Sequence, residues 1–405
     1  MSAESPGALP QPSPRVKPPS ESATAAQSGR RGIWQAWALL ATGLAATALA
    51  AAYLKAHADQ EARHEFEFRC QEIGDQIHAR LSAHEQILRS GAAFVEHAGG
   101  VTRQEWHDFT ERQRVERELP GIQGLGFALR IPRGRLAQHV AEIRAQGFPT
   151  YQVRPAAERE IYSSIVYLEP FTGRNLRALG FDMFSEPVRR AAMERAMVQD
   201  AAALSGKVVL VQETEEDVQA GTLMYVPVYH QEMPHETETQ RRAALIGWVY
   251  SPYRMNDLLG GILGGRDLAG RQQVHLEIFD GDTVSPAARL FTSQSAPAAA
   301  QRTSPGRTAE RRLVSAGRPW TLRFTRARPQ HWALAYGNVG LVLGGGISIS
   351  LLLAALFFSA LNTRLQALQA LQRSARASER LRECLVAFNL KPAVQRLEYG
   401  GKLLI

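Results

Sequence analysis

Two stretches of this chain carry no charged residue, and both are long enough to cross a lipid bilayer. A hydrocarbon core about 30 Å thick needs roughly 20 apolar residues at about 1.5 Å rise each. Residues 33–54, IWQAWALLATGLAATALAAAYL, supply 22. Residues 332–361 supply 30, although Asn338 and Gly344, Gly345 and Gly346 weaken the start and centre the second span on 339–361. Trp34 and Trp37 open one stretch and Trp332 and Tyr336 the other, where interfacial aromatics sit. The competing reading of the first stretch is a cleaved signal peptide. Its apolar core exceeds the usual ~7–15 residues and would follow an unusually long leader.

The rest of the composition fits a membrane-anchored globular domain. The 405 residues are 45% hydrophobic and 21% charged, enough for a packed core. Two cysteines support neither a disulfide framework nor a multi-cysteine zinc module. Of the net charge of +8, residues 1–32 carry +2 and residues 362–405 carry +5, which leaves +1 for the middle. A nucleic-acid-binding protein concentrates its charge on a folded face. Here the charge brackets two apolar spans, so no nucleic-acid partner is expected. Arg30 and Arg31 precede the first span, and Arg364, Arg373, Arg376 and Arg380 follow the second. The positive-inside rule then puts both termini in the cytoplasm of a multi-pass inner-membrane protein. Residues 55–331 lie outside it.

These spans divide the chain into its expected domains. Residues 1–32, rich in proline, form a disordered tail. Residues 33–54 and 332–361 are the spans, 55–331 the periplasmic region, and 362–405 a cytoplasmic helix and tail. Apolar positions at Phe66, Ile73, Ile77, Leu81 and Leu88 predict a long stalk helix over 56–94. A helix is expected over 103–118 behind Thr102. Strands are expected at 122–131, 151–153, 163–167, 208–211, 223–229, 245–250, 274–279, 288–291, 311–315 and 320–324. Helices are expected at 135–144, 187–200 and 251–259, and a loop over 293–307. The class is α+β.

Four segments run in order: PGIQGLGFALRI from Pro120, IVYLEPFTGRNLRALGFDMFSEPVRRAAMERA from Ile165, ALSGKVVLVQE from Ala203 and YVPVY from Tyr225. Together they resemble the CHASE domain, a sensor of bacterial and plant signalling receptors, over about residues 84–260. The resemblance implies a stalk helix and two PAS-like lobes, the second over about 240–330, with a small ligand in the distal one. The family's known plant ligands are adenine derivatives. Nothing in these residues specifies adenine. Members usually continue into a kinase or cyclase. The 44 residues after the second span hold no kinase histidine box, Gly-rich ATP site or GGDEF motif. The chain thus reads as a stand-alone sensor or a shortened receptor, whose output either uses a separate cytoplasmic partner or was lost. Leu361, Leu365, Leu368 and Leu371 and the stalk stripe predict a homodimer.

The ligand candidates are Asp182, Tyr162, Tyr167, Leu210, Gln212 and Tyr225. Asp182 sits among apolar neighbours in GFDMF, where a buried acid needs partners. It could accept from a ligand N–H, as the resemblance implies, or serve as a cap or an ion-pair partner of Arg189 or Arg190. The tyrosines offer flat faces and hydroxyls. The resemblance places Leu210 and Gln212 on a pocket-facing strand. Core packing is the alternative for each of these. His64, His84 and His107 follow no metal spacing, Ser205 lacks GxSxG, and LLGGILGG lacks the Lys and Ser/Thr of a phosphate loop. No catalytic, metal or cofactor residue is therefore assigned. The leading reading is a non-enzymatic sensor of a small molecule. The competing readings are a structural or partner-binding membrane protein and, behind it, an anchored periplasmic enzyme.

Overall fold

The computed structural model describes residues 21–114, 121–213, 217–263, 274–293, 307–326 and 337–387. The chain divides into two compact units, residues 62–330 and the paired terminal segments 1–61 and 331–405. The architecture is α+β.

Helix α1 (Glu21–His97) starts well before the expected stalk and ends close to its predicted end. Residues 21–32 belong to it, which corrects the expectation of disorder there. Residues 1–20 lie outside the described residues. Within residues 62–330, α1 buries Phe66, Cys70, Ile73, Ile77, Leu81, Leu88, Ala92 and Val95. Their spacing by threes, fours and a seven is one face of a helix. The larger of these side chains contribute about 1.5–3 kcal/mol each on burial. They pack in one core with residues of both sheets of the same unit. The stripe that suggested a dimer is thus consumed by the chain's own domain. Cys70 is fully buried in that core, and burial pushes its thiol up to about 11.

The first sheet has five antiparallel strands in the order β2-β1-β5-β4-β3. They are β1 (Leu125–Pro132), β2 (Ile161–Glu169), β3 (Ala203–Leu204), β4 (Gly221–Tyr229) and β5 (Leu245–Arg254). Helix α2 (Arg103–Arg112) is started by Thr102, whose hydroxyl accepts from Glu105 N while the Glu105 carboxylate accepts from Thr102 N. Trp106 of α2 is fully buried and donates its indole N–H to Leu125 O. Helix α3 (Leu136–Ala145) joins β1 to β2, and α4 (Pro187–Gln199) lies between β2 and β3. Helix α5 (Glu238–Ala244) leads into β5, and α6 (Met255–Leu263) follows it.

Strand alternation gives the sheet two cores. Leu125, Phe127, Val166, Met224, Val226, Val228 and Val249 join α1 and α2 in one. Ala128, Ile165, Leu168, Leu223, Tyr225, Trp248 and Tyr250 join Met193, Ala196 and Met197 of α4 in the other. A bulge between Phe127 and Ala128 of β1 shifts its register with β2.

The second sheet is four-stranded, β7-β6-β9-β8. It comprises β6 (Val274–Asp280), β7 (Arg289–Thr292), β8 (Thr308–Ser315) and β9 (Arg318–Arg326). Arg311 and Arg326 donate to the α1 carbonyls of Glu67 and Ala62, fixing this sheet along the first turns of the helix in this unit.

Four expected elements differ. Residues 151–153 form no strand, and beside them only Arg154 makes a bridge, to Phe181. Residues 208–211 form a loop with one bridge, Val208 to Gly221, and Val209 is largely exposed. The β-branched run there lacks a partner strand. Residues 251–254 extend β5, because Gly221 of β4 pairs as far as Arg254, and the helix begins only at Met255. The expected helix over 103–118 ends at Arg112, and 115–118 lie outside the described residues, as does the loop over 294–306.

In the other unit, α1 and α7 (Gly337–Ala387) are both long and apolar enough to cross a membrane. They meet through small residues. A Cβ on Gly43 would lie 2.6 Å from Ser350 Oγ, and one on Gly346 would lie 2.5 Å from Thr47 Cγ2. The Thr47 and Ser350 hydroxyls donate to the carbonyls of Gly43 and Gly346, so both are satisfied within their own helices at this crossing.

Candidate ligand-binding site

One row of side chains crosses the first sheet on the face covered by α4. The register sets Leu168 opposite Gly126, Gly126 opposite Tyr250, Tyr250 opposite Tyr225 and Tyr225 opposite Ala203. The small residues decide where the large ones go. A Cβ on Gly126 would sit 2.5 Å from Tyr250 Cε1, so the Tyr250 ring occupies the space over that glycine. Tyr225 and Tyr250 are fully buried, with ring centroids 6.2 Å apart. Among the described residues, no donor or acceptor reaches either hydroxyl. Burial pushes both phenols well above their ordinary range. Ser163 of β2, on the same face by alternation with Ile165, also has an unpartnered buried hydroxyl.

Other polar groups on this face are bonded to the chain itself. Trp248 Nε1 donates to Met193 O and Tyr229 Oη to Met197 O, tying β5 and β4 to α4. Arg189 of α4 is buried and donates to Val209 O, with its guanidinium carbon 5.1 Å from the centre of the Phe181 ring. Native proteins pair about nine in ten buried polar groups. Two orphaned phenols lie side by side beneath α4, whose Arg195 Nε is buried and unpartnered as well among the described residues.

Asp182 is placed at the edge of this region by the turn before α4. Gly180, at φ +81°, makes that turn, and its missing side chain leaves room for Gln152 O. Asp182 is fully buried, and its carboxylate already has three partners. Oδ1 accepts from Ser163 N at 2.8 Å and Phe184 N at 3.1 Å, and Oδ2 accepts from Arg159 Nη1 at 3.1 Å. It therefore caps the short 3-10 turn Met183–Ser185 and pairs with Arg159 rather than with Arg189 or Arg190. Burial raises its pKa, and the two N–H groups and Arg159 offset part of that rise.

The other candidates divide between the faces. Leu210 joins Tyr225 in the α4-side core, packed over Gly221. Gln212 is buried in the loop after it. Tyr162 alternates to the opposite face, and its hydroxyl donates to Ala157 O and accepts from Arg159 N. Tyr167 packs in the α1-side core and donates its hydroxyl to Val101 O. The structure thus brings Leu210 and Tyr225 together with Asp182 near them, and separates Tyr162 and Tyr167 from that set. Sequence reasoning missed Tyr250, Ser163 and Arg189. The period of two running back from Tyr250 to Trp248, opposite Gly126, carries the signal for the first.

Residues 99–291 match the family model of the CHASE domain. This chain carries a CHASE domain. CHASE is a sensory domain, which agrees with a covered, orphan-lined sheet face and with the four motifs that fall inside the match. No curated protein sequence matches the chain. The match starts just beyond α1 and ends within β7, so it takes in Lys207, Leu204 and Asp280 at the joint between the two sheets, while Ala316 and Arg318 lie beyond it. At that joint Asp280 accepts from Lys207 N at 2.8 Å and from Arg318 Nε and Nη2 at 2.7 and 2.8 Å. Leu204 of β3 donates its N–H to Ala316 O and accepts from Arg195 of α4. The helix over the orphaned phenols of the CHASE domain is therefore linked to the second sheet by two consecutive hydrogen bonds.

Proposed function

We propose that this chain is a membrane-anchored sensor that binds a small, partly flat ligand between the first sheet and α4. The observation that carries it is the pair of buried, unpartnered hydroxyls on Tyr225 and Tyr250. Occupancy would move α4, and Arg195, Leu204 and Ala316 would carry the shift to the second sheet and to α1 packed against it. A ligand biases that equilibrium only by binding the two arrangements differently. Asp182 acts here as a positioning residue that fixes the turn before α4, since its three partners come from the chain itself.

The Lys/Arg bias around the spans supports cytoplasmic termini, an external CHASE domain and residence in the inner membrane. Reporters fused at residues 20 and 200 should then report opposite compartments. The chain's output passes to a cytoplasmic partner. Any dimer contact runs through the exposed leucines Leu368 and Leu371 of α7 rather than through the stalk.

A thermal-shift screen of the full chain in detergent against small heteroaromatic molecules tests the reading. A hit should stabilise the wild type and lose most of that effect with Tyr225→Phe or Tyr250→Phe. Hits that stabilise both variants as well as the wild type would refute the site.

A further inference from the structure

The opposite face of the first sheet holds a cavity of about 770 Å³. Its floor is apolar and aromatic. Phe127 and Leu129 of β1 and Tyr167 of β2 form it, on the α1 side by strand alternation. Ile143 of α3 closes one wall. Beside it stands His139, 6% exposed, with Nε2 2.8 Å from Tyr151 Oη, which lies 2.7 Å from Ser164 Oγ. Burial lowers the His139 pKa, so this wall is polar and uncharged.

The rim is acidic. Glu96 from the end of α1, Glu142 from α3 and Glu232 from the β4–β5 connection line it, and among the described residues lining the cavity there is no Lys or Arg. Glu96 is half-buried. Its Oε1 accepts from Tyr229 N at 3.0 Å, His235 and His97 favour its charged form while Asp200 opposes it, and no described Lys or Arg forms an ion pair with it. Burial holds its carboxyl above the ordinary range. A partly desolvated carboxylate above an aromatic floor favours a cation with an apolar body, and the same rim repels an anion. A metal ion is the weaker fit, since no three His, Cys, Asp or Glu side chains among the described residues converge as ligands would.

The Tyr167 ring already takes the Arg103 guanidinium at 5.2 Å, so the open floor is that of Phe127 and Leu129. We propose that this cavity is a second binding site, for a small organic amine whose apolar body lies over Phe127 and Leu129 and whose ammonium group meets Glu96. It lies across the sheet from the site under α4 and stands whether or not that site binds a ligand.

Calorimetric titration of the full chain in detergent with 2-phenylethylamine tests this, with 2-phenylethanol and phenylacetate as the uncharged and anionic controls. Saturable binding of the amine below about 10 mM is expected, with phenylethanol at least about tenfold weaker and phenylacetate unbound. Glu96→Gln keeps an acceptor for Tyr229 N–H and should weaken the amine about tenfold without unfolding the chain. Leu129→Trp fills the floor and should abolish binding. Absence of amine binding in that range, equal binding of the three probes, or an unchanged affinity in Glu96→Gln would each overturn the proposal.

Discussion

Tyr225 and Tyr250 face one another across β4 and β5 with their rings tilted by 31° and neither hydroxyl hydrogen-bonded. Burying a hydroxyl without a partner costs about 1–3 kcal/mol. Tyr225→Phe and Tyr250→Phe should therefore leave the ligand-free domain as stable as the wild type or more stable, by up to about 1–2 kcal/mol. Urea unfolding of each variant measures this. A loss of more than about 1 kcal/mol in both would show that the hydroxyls already have partners.

Asp182 and Arg159 form an ion pair, but their removal should not cost the same. Asp182→Ala strands the N–H groups of Ser163 and Phe184 as well as the guanidinium. It should destabilise by at least about 2 kcal/mol. Arg159 is partly exposed, so Arg159→Ala should cost about 1 kcal/mol or less. Equal losses in thermal or urea unfolding would contradict the capping role.

His84 of α1 is fully buried, stacks on Tyr253 at 5.3 Å between ring centres, and has no hydrogen-bond partner among the described residues at either ring nitrogen. Burial lowers its pKa from 6.5 to about 3, with Arg80 adding to the shift. The unfolded chain therefore takes up a proton near pH 6.5 that the folded chain refuses. Stability is full above pH 6.5 and falls by about 1.4 kcal/mol per unit as pH drops toward 3. His84→Phe keeps the stack and should flatten the slope between pH 7 and pH 5. An identical slope in wild type and variant would exclude His84 as its source.

Cys70 and Cys384 should label at very different rates. Cys70 is enclosed in the core with a raised pKa, whereas Cys384 is exposed on α7. Under native conditions a maleimide should modify one thiol per chain quickly, and two only in denaturant. Cys384→Ser should leave the native protein unreactive. Fast native labelling of Cys70, or an interchain disulfide through it, would show that α1 does not pack as described.

Periodic elements were legible in the sequence. The α1 stripe repeats by threes and fours, β9 alternates, and β4 and β5 are short apolar runs buried on both faces, so their existence could be read directly. Capping by Thr102 was legible too, since Glu105 stands three residues on. Pairing was not. The run at 208–211 has strand composition, yet the space beside Gly221 is filled by Leu210 and only Val208 pairs. Tyr167 reads like Tyr225 in isolation. The bulge at Phe127 and Ala128 sets the face on which each β2 residue falls, and an insertion of one residue leaves no mark in composition. Asp182 was recognisable as a buried acid, but Arg159 lies 23 positions away and had no local cue.

The two-residue strand β3 forms an outer strand of the first sheet, and such a strand is a place where a foreign strand can add. The Leu204 N–H is already given to Ala316, and the Leu204 carbonyl already receives Arg195. The contact that joins the two sheets therefore also stoppers this flank of the domain. A second chain arriving here finds neither a free donor nor a free acceptor at Leu204, and loosening the Ala316 turn would expose both together as a template for aggregation.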